Sequence, residues 1–236
     1  MQGFSRAQVT EGPLDEVPPD GLRKIWRWAV VIAVGGFLFG FDTGVISGAL
    51  LFIRTDFTLN SFEQGTVVSV LVLGAMVGAL LSGRMADRVG RRGLLLFSLA
   101  AMAVTMALLG LAFVAGWSSV PTLVFMVLFI ASFAVGLGPV FWAIIGEIFP
   151  GPARATGSSA STAVNWGSNF AVSLLFLPIA TAIGQGETFW ILGAIALAGL
   201  VFVARFVPET KGRGFDEVDA DLLRRFGRRP PESTPG

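Results

Sequence analysis

Long uncharged stretches, spaced at the thickness of a lipid bilayer, are the feature that most constrains this chain. No charged residue occurs in the 20 positions between Glu63 and Arg84, the 54 between Arg92 and Glu147, or the 32 of 155–186. A helix rises 1.5 Å per residue, so about 20 residues cross a hydrocarbon core about 30 Å thick. The pattern predicts an all-α membrane protein. Its six predicted transmembrane helices lie near 27–51, 63–83, 94–115, 121–146, 158–181 and 188–207.

The composition excludes several other classes of protein. Charged residues make up 14% of the 236 positions, against roughly 25% in soluble domains, so neither a soluble enzyme nor a disordered chain fits. Cysteine and histidine are both absent, which removes disulfides, thiol nucleophiles, histidine metal sites and a Ser-His-Asp triad. We therefore expect no enzyme, no cofactor and no metal. The basic residues follow the predicted topology, so we expect no nucleic-acid partner either.

The basic residues also predict the orientation. With six spans, 16 of the 17 Lys and Arg residues fall on the side that holds both termini, and Arg54 is the exception. Positive residues accumulate on the cytoplasmic side, so both termini are predicted to be cytoplasmic, in a multi-pass protein of the cell membrane. Residues 1–26 form the predicted cytoplasmic N-terminal segment, without a cleavable signal peptide. Residues 27–207 form the bundle and 208–236 the cytoplasmic tail, with the pattern of a short amphipathic helix.

Polar and aromatic residues gather on the predicted fourth and fifth spans. Span five carries Asn165 and Asn169 at helical spacing with Trp166 beside them, and span four carries Pro139 and Trp142. Amides inside a membrane need hydrogen-bond partners, which either a neighbouring helix or a wet cavity supplies. An aromatic ring beside amides suits a sugar, whose apolar face stacks while its hydroxyls bond, although a tryptophan at a packing seam is common.

Asp42 is the one charged residue well inside a predicted span, and it has two readings. An ionisable residue at membrane depth indicates function by default, which here means proton coupling. The alternative is a neutral carboxyl hydrogen-bonded across the bundle. The glycines of span one, which recur every four residues from Gly36 to Gly48, and the similar Gly74, Gly78 and Ser82 of span two predict close helix packing.

Five motifs occur in sequence order along the chain. They are GGFLFGFDTGVISG at 35–48, GRMADRVGRR at 83–92, GPVFW at 138–142 with EIFP at 147–150, NW at 165–166, and PETKG at 208–212. Together they resemble the sugar porter family of the major facilitator superfamily. The first span resembles that family's first helix, with Phe41 where the family usually has tyrosine.

The resemblance implies that six of the family's twelve helices are missing. The first two helices resemble the family's first and second, the other four resemble its ninth to twelfth, and the junction falls in the repeated loop near 83–94. Because the family's two halves are internal repeats, the product is a complete hybrid half-bundle. We expect two copies to pair as a homodimer about a twofold axis normal to the membrane.

The resemblance also implies roles for individual residues. Gly138, Trp142, Asn165 and Trp166 match positions at or near the sugar, and Asn169 extends this predicted site. Asp42 matches the family's proton-coupling carboxyl. The residues that match the family's cytoplasmic salt-bridge network are Asp87, Arg88, Arg91, Arg92, Glu147, Arg154 and Glu209. For Asp87 the alternative is a cap at a helix start.

The expected function is transport of a monosaccharide by alternating access, either passive or proton-linked, within a lipid bilayer. The alternative is a membrane protein without transport activity, either a remnant or a partner subunit of a full-length transporter. The family's other polar sugar contacts, and the arginine that usually pairs with its first-helix carboxyl, lie on helices that this chain lacks.

Overall fold

The structure is a computed structural model that describes residues 33–42, 45, 61–148, 151–212 and 217. The side chains of several residues at the start of the second helix and of 145–157 are outside this description. Helices account for nearly all of the described residues, and no strand occurs among them. The helices are α1 (Ala33–Asp42), α2 (Ser61–Val89), α3 (Arg91–Val114), α4 (Ser119–Val135), α5 (Leu137–Ile148), α6 (Gly151–Ile183) and α7 (Gln185–Phe206).

Four stretches of the described part are long and apolar enough to cross a membrane. They are Arg91–Val114, Val120–Ile144, Ser158–Ile183 and Gln185–Phe206, so the predicted all-α membrane fold is confirmed. Only 33–42 and Val45 of the first predicted span are described. The six-span count, the cytoplasmic termini and the amphipathic tail helix therefore stay predictions, and residues 1–32 and nearly all of 213–236 lie outside the described residues.

The predicted fourth span is broken at Gly136, where α4 ends and α5 begins. Pro139 has no N–H to donate to the carbonyl four residues earlier, so the ladder of backbone hydrogen bonds is interrupted. The hydroxyl of Ser98, on α3, lies at the gap. It donates to the Ser132 carbonyl at 2.7 Å and accepts from the Leu137 N–H at 3.1 Å. A neighbouring helix thus satisfies the polar groups that the break exposes.

Helix α3 is at the centre of the described bundle. It packs mainly on α7 and α4, and α2 packs on α4. Leu99 and Met106 of α3 are completely buried. In the C-terminal half of α3, the Ala107 carbonyl accepts a hydrogen bond of 3.2 Å from the indole N–H of Trp190 on α7. The chain reverses direction between these helices, so α3 and α7 are antiparallel.

Helix α1 packs against α5, α6 and α7, running parallel to α6. A methyl group added at Gly36 would lie 2.8 Å from the Ser161 carbonyl oxygen, and one at Gly40 would collide with Asn165 and Ser168. These two glycines therefore permit the close approach of α1 to α6, as the glycine pattern predicted. Gly44 and Gly48 lie outside the described residues.

The glycine pattern of α2 is only partly a packing seam. Gly78 lies against Ala134 of α4, and Ser82 is buried. Gly74 has open space where a methyl group would stand. One member of the predicted seam is therefore free of contacts with the described bundle.

Candidate functional site

Trp142 presents a partly exposed ring, which rests on aromatic neighbours. Its side chain is 41% exposed. The ring meets Phe39 of α1 edge-on, with centroids 5.6 Å apart, and Phe141 of its own helix at 5.2 Å. Phe39 also packs against Phe133 of α4 at 5.0 Å. These contacts fix the ring while leaving surface for a ligand.

Phe39 is the functional candidate that the sequence analysis missed. It comes from α1 and packs against aromatic residues of both α4 and α5. Its position three residues before Asp42, in a glycine-bordered run of phenylalanines, was the available signal. Nothing in the sequence shows which of these phenylalanines faces Trp142, because that depends on how α1 is rotated in the bundle.

Gly138 is buried, and a methyl group there would lie 3.2 Å from the Phe133 ring. That distance is tight for a carbon–carbon contact. The glycine therefore makes room for the ring of Phe133, and its place in the sugar site stays a prediction.

The polar pattern of α6 divides between the core and the surface. Residues four apart on a helix differ by about 40° in direction, so the pattern drifts around the axis. Asn165 is buried against α1, Asn169 is half-buried and Ser173 is exposed; the Ser173 hydroxyl donates to Asn169 Oδ1 at 3.2 Å. Trp166 is 66% exposed. Asn165 is thus packed against α1, Asn169 lies partly outside this packing, and both interpretations of the two amides stay predictions.

Helix α1 joins the two parts of the predicted sugar site. Consecutive residues of α1 contact the two helices: Phe39 meets Trp142 on α5, and Gly40 packs on Asn165 of α6. The aromatic platform and the amides are therefore held by one rigid element. Any rotation of α1 would alter both at once.

Asp42 is fully buried at the end of α1. Neither of its carboxylate oxygens has a hydrogen-bond partner among the residues that the structure describes. The alternative role of Asp42, a neutral carboxyl hydrogen-bonded across the bundle, requires such a bond, and none is among the described contacts. A buried carboxylate without a partner is costly, and Asp42 is the one acidic residue with such oxygens among the residues that the structure describes.

The best-defined polar contacts lie where α3 begins. Glu209, after the end of α7, accepts the backbone N–H groups of Arg91 at 3.0 Å and Arg92 at 3.2 Å. It also accepts the N–H groups of Thr210 at 3.1 Å and Lys211 at 3.0 Å. The first N–H groups of a helix have no partner within the helix, and their positive end favours an anion. Glu209 therefore caps α3.

Gly90 makes this cap possible. Its backbone φ is 95°, a conformation that residues with a side chain rarely adopt. A methyl group there would also collide with the Glu209 carboxylate. The guanidinium of Arg92 donates to the Ala204 carbonyl, and the Lys211 ammonium donates to the Arg88 carbonyl at 3.0 Å. The loop before α3 is thus fastened to the end of α7.

The predicted salt-bridge network is described only in part. Asp87 pairs with Arg91 at 3.6 Å. Asp87 lies near the end of α2, so its alternative role as a cap at a helix start is wrong, and Glu209 takes that role for α3. Glu147 is near the end of α5 and Arg154 near the start of α6, but both side chains lie outside the described residues.

Comparison with known proteins agrees with this arrangement. A family model described as sugar (and other) transporter matches residues 28–93 and 84–222. The facilitated trehalose transporter Tret1 of Bombyx mori is 32% identical over 82% of the chain, and the arabinose-proton symporter of Bacillus subtilis is 30% identical over 88%. The proton:xylose symporter XylE, solved with 6-bromo-6-deoxy-D-glucose, superposes with a TM-score of 0.72 over 82% of the chain, at 26% identity.

Two features of these matches concern the length of the chain. The chain covers 40% of the Bombyx mori protein, 45% of the Bacillus subtilis protein and 42% of the solved XylE chain. The two segments matched by the family model share residues 84–93. This overlap covers the end of α2, Gly90 and the start of α3, where the sequence analysis placed the junction, as expected if one segment stands for both repeated loops of a longer relative.

Proposed function

This chain belongs to the sugar transporter family, and from that premise we propose that it carries a monosaccharide across the cell membrane by alternating access. Family members are transporters, in agreement with the expectation that the chain is not an enzyme. The observation that carries the proposal is the Trp142 ring, which is braced by Phe39 and joined through α1 to the amides of α6. A sugar stacks on the ring and hydrogen-bonds to Asn169 and its neighbours.

The transporting unit is a dimer of six-span chains with cytoplasmic termini. Relatives about twice as long and the doubled match at 84–93 support this part of the proposal. Two hybrid halves about a twofold axis restore twelve helices around a central cavity. The bilayer surrounds this assembly.

Proton coupling through Asp42 is the second part of the proposal. Its support is the complete burial of a carboxyl with no described partner, on the helix that carries Phe39. Two of the similar proteins are named as proton symporters, for arabinose and for xylose. A carboxyl that exchanges a proton between the two access states links sugar movement to the proton gradient.

A second candidate function rests on the short length of the chain. A protein that spans 40% of the Bombyx mori relative and 45% of the Bacillus subtilis relative and lacks the family's other polar sugar contacts fits a remnant or a partner subunit of a full-length transporter. Such a subunit would bind the full-length protein and carry no sugar alone.

Uptake into liposomes separates these functions. The purified chain is reconstituted alone, and uptake of labelled hexoses and pentoses is measured with and without an inward proton gradient. Saturable uptake of one sugar class above empty liposomes is expected. No uptake from a correctly oriented dimer would contradict transport and favour the subunit.

A further inference from the structure

One side chain of α3 serves both sides of the break between α4 and α5. Ser98 is fully buried. Its hydroxyl donates at 2.7 Å to the carbonyl of Ser132, in the last turn of α4, and accepts at 3.1 Å the N–H of Leu137, the first residue of α5. The last carbonyls of a helix and its first N–H groups have no partners within that helix. One oxygen atom of α3 therefore closes α4 and caps α5.

Helix α5 has no side chain of its own at the capping position. Gly136 occupies that position, and its carbonyl accepts the first backbone hydrogen bond of α5, from Val140 at 3.1 Å. A methyl group at Gly136 would lie 2.7 Å from the Leu94 carbonyl oxygen and would collide with the Ser98 side chain. A serine, threonine or aspartate at this position, the usual helix cap, is therefore excluded by the close approach of α3, and α3 supplies the cap instead.

Side-chain packing alone does not fix the position of α5. Leu137, Phe141 and Ile144 lie on one face of this helix and line a cavity, which is otherwise bounded by residues of α1, α3 and α7 and by Val207. Side chains that border a cavity have fewer atoms to contact on that side. This face of α5 is therefore loosely held, which leaves the hydrogen bond to Ser98 to fix the start of the helix.

We propose that Ser98 is a positioning residue for the sugar site, because it holds α5 where the ring of Trp142 faces the sugar. The proposal rests on the proposed function. Trp142 lies five residues after Leu137, about 7.5 Å along the same helix, and its ring meets Phe39 edge-on at 5.6 Å. A shift at the start of α5 is carried to this ring. Ser98, being fully buried, touches no sugar and acts through α5.

The variants that test this proposal separate the hydroxyl from the shape of the side chain. Ser98→Ala removes both hydrogen bonds, whereas Ser98→Thr keeps a group that donates one bond and accepts another. Ser98→Cys avoids the added methyl group of threonine, and its thiol donates and accepts weakly. Thr105→Val is the matched control, because Thr105 is buried two turns later on α3 and its hydroxyl donates to the Ala101 carbonyl of the same helix at 2.8 Å.

The concentration dependence of sugar uptake separates positioning from folding. Each variant is reconstituted in liposomes, and initial rates are measured over a range of sugar concentrations. We expect Ser98→Ala to raise KM about tenfold with a maximal rate within about twofold of the parent, because a displaced ring weakens sugar binding. Ser98→Thr and Thr105→Val should keep the parental KM, and Ser98→Cys should lie between. A parental KM in Ser98→Ala, with only a lower maximal rate, would show a loss of folded protein and overturn the proposal.

Oxidation of tryptophan by N-bromosuccinimide tests the same proposal without sugar or transport. Mass spectrometry of peptides gives the oxidation rates of Trp142 and Trp117, whose exposed fractions are 41% and 44%. In Ser98→Ala we expect the rate at Trp142 to rise about twofold or more as α5 becomes more mobile, and the rate at Trp117 to stay parental. Equal rates at Trp142 in Ser98→Ala and Ser98→Thr would overturn the proposal. A faster rate at Trp142 in a chain that takes up no sugar would contradict transport and support the positioning of this ring by Ser98.

Discussion

The carboxylate of Glu209 and the backbone of Arg91, 118 residues apart in sequence, are joined by a hydrogen bond of 3.0 Å. This contact, with that to Arg92, caps the start of α3 and ties it to the end of α7. Since α3 is the central helix of the described bundle, the cap joins the core of the bundle to the residues that follow α7.

Removing the Glu209 carboxylate is expected to destabilise the bundle. In Glu209→Ala the first N–H groups of α3 lose a charged acceptor, a loss of about 1–3 kcal/mol. Thermal unfolding in detergent measures it. Glu217→Ala, at an exposed position after the cap, is the matched control and should leave the melting temperature unchanged. Equal melting temperatures for the two variants would contradict the cap.

Gly90→Ala should lower stability through two effects. Its φ of 95° is unfavourable for alanine, and the added methyl group meets the Glu209 carboxylate. A loss of about 1–3 kcal/mol is expected for the backbone conformation, with more from the displaced cap. Gly83→Ala, in open space on α2, should be neutral or stabilising by about 0.5–1 kcal/mol. A neutral Gly90→Ala would refute the described geometry.

Ser98→Ala tests the break between α4 and α5. The variant leaves the buried N–H of Leu137 and the carbonyl of Ser132 without their shared hydroxyl, at a loss of about 1–3 kcal/mol. The control, Ser132→Ala, removes a hydroxyl that bonds within its own helix and should melt close to the parent. Equal melting temperatures for the two serine variants would show that the Ser98 hydroxyl does not stabilise the break between α4 and α5.

Asp42→Asn separates coupling from packing. The amide keeps the shape of the carboxyl but cannot exchange a proton, so uptake driven by a proton gradient should fall to the passive rate. Glu217→Gln, at an exposed position after the cap, should keep the response to the gradient. Unchanged gradient-driven uptake in Asp42→Asn would make Asp42 structural.

The sequence predicted those features that depend on local spacing. Uncharged runs predicted the apolar helices, and the glycine spacing of span one predicted the close helix packing seen at Gly36 and Gly40. The sequence did not predict that Ser98 would bridge the break or that Glu209 would cap α3, because both contacts join residues far apart in the chain. The drift of the α6 pattern from buried Asn165 to exposed Ser173 follows from 3.6 residues per turn, but which end is covered depends on where α1 packs.

The central claim is that sugar passes over the Trp142 ring, and the initial rate of sugar uptake tests it most directly. Liposomes containing Trp142→Ala are compared with liposomes containing Trp117→Ala, whose ring is similarly exposed (44% against 41%) but lies between α3 and α4 at the end of the bundle. We expect Trp142→Ala to lose about tenfold in rate at low sugar concentration, equivalent to about 1.4 kcal/mol, and Trp117→Ala to match the parent. Parental uptake by a correctly folded Trp142→Ala protein would contradict the account.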